Sequence, residues 1–272
     1  MPVSSPHVRT AVVSLLQAGG CVYAEEEAGL LIDAATSTAA LTAMVQRRVS
    51  GVPLEQILGW VAFCGLRVAV EPGVFVPRRR TELLVQQAIA LLRPGAVVVD
   101  LCCGSGAVGA ALAADTFRPA GARLDLHASD VDPVACRCAQ RNLIGRGSVH
   151  RGDLYEPLPG RLRARVDVVV ASAPYVPTAA IPFMPAEARV HEPLSALDGG
   201  PDGMEVQRRV IAEAPAWLVA GGHLLVETSE QQAAATCESF AAAGLFPRVV
   251  RSDDLDATVV IGAAAGHAGA GR

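Results

Sequence analysis

The chain has 272 residues, enough for one large domain or for a domain of about 200 residues with a smaller companion. Apolar residues make up 51% of it, yet Arg, Glu and Asp interrupt them before any run reaches the ~20 residues that cross a bilayer. All 23 basic residues are arginine, which excludes Schiff-base chemistry and the phosphate-binding lysine of a P-loop, and a formal charge of −4 gives no broad field for nucleic acid.

No apolar block of secretory type follows the first residues, Met1 to Arg9, so a cytoplasmic protein is expected. The seven cysteines contain no Cys-x-x-Cys pair. They read as reduced, half-buried side chains, and no metal site is expected.

Helices come first. Val8, Val12, Leu15 and Leu16 recur at helical spacing and stop at Gly19-Gly20. A second apolar set, Ala28 to Ile32, and a third, Leu41 to Val49, follow, with Thr36 and Ser37 as caps and Gly51-Val52-Pro53 as a stop. The texture changes at Trp60. Val61 to Val70 alternates loosely around Gly65 and closes at Glu71-Pro72-Gly73, which predicts a β-hairpin or two short strands. A small helical domain is therefore expected over residues 1–72, with a boundary near residue 73.

Beyond it, two kinds of segment alternate. Strands are predicted at Ala96 to Asp100, Leu124 to Ser129, near Val149, and at Val166 to Ala171, His223 to Glu227, Arg248 to Ser252 and Ala257 to Ile261. Helices are predicted at Glu82 to Leu92, Gly106 to Ala114, Pro133 to Asn142, Met204 to Val219 and Gln231 to Ala243. Such alternation predicts an α/β fold, a mainly parallel sheet with helices on both faces. A hairpin across Asp253 to Asp256 would add an antiparallel strand at the end of the chain. The Gly/Ala-rich tail, residues 263–272, is expected to be disordered.

The strongest local signal runs from Val97 to Gly106. An apolar strand ends at Asp100 and enters Cys102-Cys103-Gly104-Ser105-Gly106, where glycine lets the backbone turn sharply and approach a ligand. Asp130 ends the next strand, where a carboxylate can accept from a ribose diol; Asp132 and Pro133 then start a helix. The Asp153 carboxylate in Gly152-Asp153-Leu154 can accept from an adenine amino group. Gly104-x-Gly106-x-x-Gly109 also satisfies a dinucleotide pattern. Asp100 argues the other way, because a carboxylate there suits a sulfonium amino acid and repels a pyrophosphate.

One ordered set carries a resemblance. It comprises Phe75-Val76-Pro77-Arg78-x-x-Thr81-Glu82-Leu83-Leu84, Asp100 to Gly106, Asp130, Gly152-Asp153-Leu154, Ser172-Ala173-Pro174-Tyr175 and Glu192-Pro193 with Ala196 to Gly203. The set resembles the protein-(glutamine-N5) methyltransferases that modify peptide-chain release factors, over nearly the whole chain. The resemblance implies a Rossmann-like class I methyltransferase domain over residues 73–262, with a seven-stranded mixed sheet, behind an N-terminal helical domain that recognises the substrate. It implies S-adenosylmethionine as cofactor and, as partner, a protein carrying a glutamine, a release factor or similar; neither membrane nor direct nucleic-acid binding is expected. Cofactor contacts would come from Phe75, Arg78, Asp100, Cys102, Gly104, Gly106, Asp130, Val131, Asp153, Leu154 and Ser172. Catalysis would rest on Ser172, Ala173, Pro174 and Tyr175.

The chain departs from the family's pattern in three places. Ser172-Ala173 replaces Asn-Pro in the Asn-Pro-Pro-Tyr signature, Arg79 stands where proline is usual, and Cys102 stands where glycine is usual. In the family the Asn side-chain oxygen and the next backbone carbonyl accept the two amide N–H bonds and aim a poorly nucleophilic nitrogen at the methyl group. Ser172 keeps an acceptor oxygen on a shorter arm and adds a donor; a misplacement of about an ångström costs about 100-fold in rate. Arg78 and Glu82 are expected to brace the junction, Glu82 through an arginine, and His191 to be a surface-loop residue. Two other functions stay open: methylation of an adenine amino group, and cofactor binding without catalysis.

Overall fold

The computed structural model describes residues 5–114 and 123–266. Four helices open the chain: α1 (Pro6–Ala18), α2 (Ala24–Ala34), α3 (Thr38–Val49) and α4 (Leu54–Leu58). The Ser37 hydroxyl caps α3 by accepting the Ala40 N–H at 3.1 Å. These helices close on a core of their own, formed by Val12, Leu16, Ala28, Leu31, Leu41 and Val45. Leu15, counted in the apolar stripe of α1, instead faces solvent, since Leu16 and Val12 take the buried side.

The hairpin pairs β1 (Trp60–Phe63) with β2 (Leu66–Ala69). Val61, Phe63 and Val68 enter the hydrophobic cluster beneath the main sheet, so the hairpin packs with that sheet and not with the helical core. Then follow α5 (Glu82–Ile89), β3 (Val97–Leu101), α6 (Ala107–Leu112), β4 (Asp125–Asp130), α7 (Pro133–Asn142), β5 (Ser148–Arg151), β6 (Val166–Ala171), α8 (Ala186–His191), α9 (Glu205–Glu213), β7 (Leu218–Thr228), α10 (Ala233–Ala242), β8 (Phe246–Ser252) and β9 (Ala257–Ala263). The seven-stranded sheet has the order β5-β4-β3-β6-β7-β9-β8. All neighbours are parallel except β9, which runs antiparallel to β7 and β8.

The pleat sorts the apolar strands onto two faces. Val98, Val168, Val170 and Leu225 pack against α5, α6 and α7. Val99, Val169, Leu224 and Val226 pack against α9 and α10, with Trp217 stacked on Tyr155. Strands buried on both faces explain why these segments read as continuous apolar runs.

Several boundaries shift from the sequence expectation, and three have clear causes. The helix expected over Met204 to Val219 stops at Glu213, because Pro215 lacks an N–H and its ring clashes with the preceding turn. The strand expected at His223 therefore begins at Leu218; it is irregular near Gly221-Gly222, where its pairing with β6 shifts register. The last strand extends through Ala263, and the Ala264 N–H donates to the Gly222 carbonyl at 2.8 Å, so ordered pairing reaches into the tail expected to be disordered. Residues 267–272 of that tail lie outside the described residues.

One side chain joins the hairpin to the glycine turn. Asn142, the last residue of α7, accepts the Ala69 N–H at 2.9 Å and donates to the Ala69 carbonyl at 2.9 Å and the Ser105 carbonyl at 2.8 Å. It pairs with the β2 backbone as another strand would. Asn142→Ala should lower the unfolding free energy by about 2–3 kcal/mol, the cost of leaving these backbone groups unpaired. Urea denaturation of the two proteins measures it; an unchanged midpoint refutes the bracing role.

Candidate active site

Strand register builds the site. Leu101 pairs with Ser129 on one side and Ala171 on the other, and Ala171 pairs with Val226. The next residue on each strand is Cys102, Asp130, Ser172 and Glu227, so these stand in one row along the C-terminal edge of the sheet. In open α/β sheets this edge, where strand order reverses, is the place for ligands. A cavity of about 540 Å³ lies there, within the usual range for small-molecule sites.

The expected cofactor residues Phe75, Arg78, Asp100, Cys102, Gly104, Asp130, Val131, Asp153 and Leu154 all line this cavity, and so do Ser172 to Tyr175. Gly106 does not line it; it sits behind the turn at φ 76°, where a Cβ would come within 3.0 Å of the Ala139 side chain, so its role is to let α6 approach α7. Cys102 adopts φ 54°, the left-handed conformation that favours the glycine it replaces.

Two carboxylates hold the turn. Asp100 is 2% exposed and accepts the Gly109 N–H at 2.9 Å. Burial pushes its carboxyl up to about 7, against the bond from Gly109 and with help from the charge of Asp130. Asp130 accepts the Gly104 N–H at 2.8 Å and the Asp132 N–H at 2.9 Å, and burial raises its carboxyl too. Each carboxylate oxygen still carries a further lone pair for a ligand. The Ser105 hydroxyl, also on the cavity wall, is buried without a partner among the described residues.

Other residues differ from expectation. Asp153 is already engaged: its carboxylate is paired with Arg209 at 2.5 Å, both half-exposed at the cavity wall. Glu82 accepts the Cys64 N–H at 3.1 Å and makes no ion pair among the described residues. Arg78 braces the junction as expected, but its partner is Glu192, at 2.6 Å, and it stacks over Phe75 at 4.8 Å. Glu192 also accepts the Val76 N–H at 3.0 Å, tying the Phe75 segment to the loop after α8. His191 closes α8, half-buried, and its carbonyl accepts from the Gln56 side chain at 3.3 Å.

The loop Asp198 to Gly203 supports the rim. Gly203 has φ 75°, and a Cβ there would come within 2.3 Å of the Tyr175 carbonyl, which also accepts from Gln232 at 3.0 Å. The Ser172-Ala173-Pro174-Tyr175 turn is thus held from behind. One residue went unnoticed in the sequence: Glu227, 3% exposed, accepts the Ser172 O–H at 3.1 Å. A lone carboxylate ending an apolar strand, as Asp130 does, was the available signal.

A seven-stranded sheet in this order, with its last strand reversed and this cavity at its C-terminal edge, defines a class I methyltransferase fold. The family model described as methyltransferase small domain matches residues 65–200. The release factor glutamine methyltransferase of Geobacter sulfurreducens is 36% identical over 227 residues, 82% of this chain and 77% of that protein. That of Mycolicibacterium smegmatis is 39% identical over 220 residues, 80% and 76% of the two chains. The chain belongs to the family of release factor glutamine methyltransferases. A solved methyltransferase from Pyrococcus furiosus, 17% identical, superposes with a TM-score of 0.55 over 74% of this chain and 90% of that one, a likeness of fold.

Glu192→Gln should lower stability by about 1–2 kcal/mol, less than for a fully buried pair because Arg78 is 37% exposed. Faster amide exchange at Val76 should accompany the loss. Unchanged exchange and an unchanged urea midpoint would show that the pair does not hold the segment.

Proposed function

We propose that this chain transfers a methyl group from S-adenosylmethionine to the side-chain amide nitrogen of a glutamine in a peptide-chain release factor, in the cytoplasm, where its seven free cysteines stay reduced. The observation that carries this reading is the Ser172 to Tyr175 turn on the wall of the same cavity as Asp100, Gly104 and Asp130. The residues fit the cofactor. Asp100 and Asp130 supply carboxylates for its cationic and ribose portions, the Ser105 hydroxyl is an unpartnered polar atom on the wall, and space above Gly104 is clear of any Cβ contact. Phe75, Arg78, Val131 and Leu154 complete the walls, and Asp153 reaches an adenine amino group only if it shares its charge with Arg209.

S-adenosylmethionine supplies an electrophilic methyl group. The protein's part is to aim a nitrogen whose lone pair is delocalised into its carbonyl, and positioning of this kind lowers barriers by several kcal/mol. The Ser172 oxygen and the Ala173 carbonyl are the acceptors for the two amide N–H bonds. Tyr175, stiffened by Pro174, is a flat wall for the substrate side chain. Residues 1–72 form the recognition domain in this reading: Leu15 and Val49 on the helices, and Val22 and Tyr23 in the turn between α1 and α2, face solvent, and Arg48 links Glu27 at 2.6 Å to Glu187 of the rim at 3.3 Å. The test is to incubate the purified protein with a purified release factor and labelled S-adenosylmethionine and to locate the label by mass spectrometry. Label on a glutamine amide is expected; no label, or label elsewhere, rejects the assignment.

Asp130→Ala should weaken cofactor binding at least about tenfold, the loss of one charge-assisted hydrogen bond. Equal calorimetric affinities for variant and parent would remove Asp130 from the cofactor site.

Binding should also depend on pH. A cationic ligand beside Asp100 favours its ionised form, whereas without it burial, opposed by the Gly109 bond and helped by Asp130, holds the carboxyl at about 7. Binding then releases a proton below that value, so affinity should rise with pH through it and level off above. Between pH 6 and pH 8 the gain attributable to Asp100 is about tenfold. Calorimetry at the two values should show this in the parent, and Asp100→Asn should lack it. The same dependence in both proteins would place the titration elsewhere.

A further inference from the structure

Glu227 is the buried charge that the reading above leaves without a task. It stands beside Ser172 in the row of strand ends and accepts the Ser172 O–H at 3.1 Å. The side chains of Thr81 and Tyr175 also lie against its carboxylate, and Arg80 is near. Glu227 further lines a second cavity of about 380 Å³, walled by Ser229, Glu230, Arg251, Asp253 and Asp256. Glu230 and Arg251 are exposed, so this cavity opens to solvent. The carboxylate thus stands between the reaction cavity and water.

A serine hydroxyl has one proton and two lone pairs. With its proton committed to Glu227, the oxygen can only accept from a group in the cavity. We propose that Ser172 and Glu227 together replace the asparagine that the family resemblance leads one to expect: Glu227 is a positioning residue that fixes Ser172 as acceptor of a substrate amide N–H and takes up the proton released by the reaction. The proposal rests on the amide-methylation reading. As the N–CH₃ bond forms from the nitrogen lone pair, the electrons of the broken C–S bond stay on sulfur, and the N-methylated amide carries one proton too many. That proton passes to the Ser172 oxygen while the Ser172 proton passes to Glu227, which becomes a neutral acid and then loses the proton into the second cavity. Burial raises the Glu227 carboxyl above the ordinary range, against the hydrogen bonds and Arg80, which suits an acceptor that must later be neutral.

The test compares Glu227→Gln, Ser172→Ala and the double variant on a purified release factor at saturating S-adenosylmethionine. At saturating cofactor each single variant should lose about a hundredfold in kcat, the scale of one proton-transfer group, and the double variant should lose no more. The parent's kcat should fall as pH drops through the Glu227 titration, and Glu227→Gln should lack that limb. Independently of turnover, carbon-13 NMR of the Glu227 carboxyl should move its titration upward in Ser172→Ala, since a donor to the carboxylate is gone. Losses that multiply in the double variant, an acidic limb that survives in Glu227→Gln, or a carboxyl titration indifferent to Ser172 would overturn the proposal. A parent that labels no glutamine would overturn the underlying reading, and the proposal with it. A parent that labels glutamine beside a fully active Glu227→Gln would overturn the proposal alone.

Discussion

Everything at this site depends on what happens where parallel strands stop. A strand that ends inside a protein leaves backbone N–H groups pointing at a crevice, and each must find an acceptor. Here Asp130 takes the N–H groups of Gly104 and Asp132, and Asp100 takes that of Gly109. These bonds fix the turn after β3 against the turn after β4. They also place two carboxylates where water is scarce, which raises both of their protonation equilibria. The cavity and its electrostatics therefore have one origin.

The period-2 and period-3.6 patterns made the sheet and most helices legible from sequence, because strands buried on both faces and helices capped by Ser37 or Asp132 leave strong local marks. What the patterns missed depends on pairing at a distance. The start of β7 at Leu218 was hidden by an apolar run that continues straight out of α9, and only the effect of Pro215 separates the two. The hairpin was legible, but its allegiance to the sheet core was not, since it rests on partners far off in sequence, the core beneath the sheet and Asn142, 73 positions from Ala69.

The site was legible for the same reason and to the same depth. Motifs contiguous in sequence, the glycine turn and the Ser172 to Tyr175 turn, were found and do converge on one cavity. Residues whose importance lies in a partner on another strand were misjudged or passed over. Asp153 looked free and is paired with Arg209; Glu82 looked like an arginine's partner, but the carboxylate that holds the bracing Arg78 is Glu192. Glu227 carried no motif at all, and its meaning appears only when strand register sets it beside Ser172.

The rim segment formed by α8 and Glu192 is held from two sides. Arg48 and Gln56 of the helical bundle bind its Glu187 and the His191 carbonyl, while Glu192 binds the Phe75 segment. The bundle is thus no detachable module. Exchanging it would transplant half of a clasp, so a chimera has to carry α8 and Glu192 along with the helices; drift in one should be matched by compensating drift in the other.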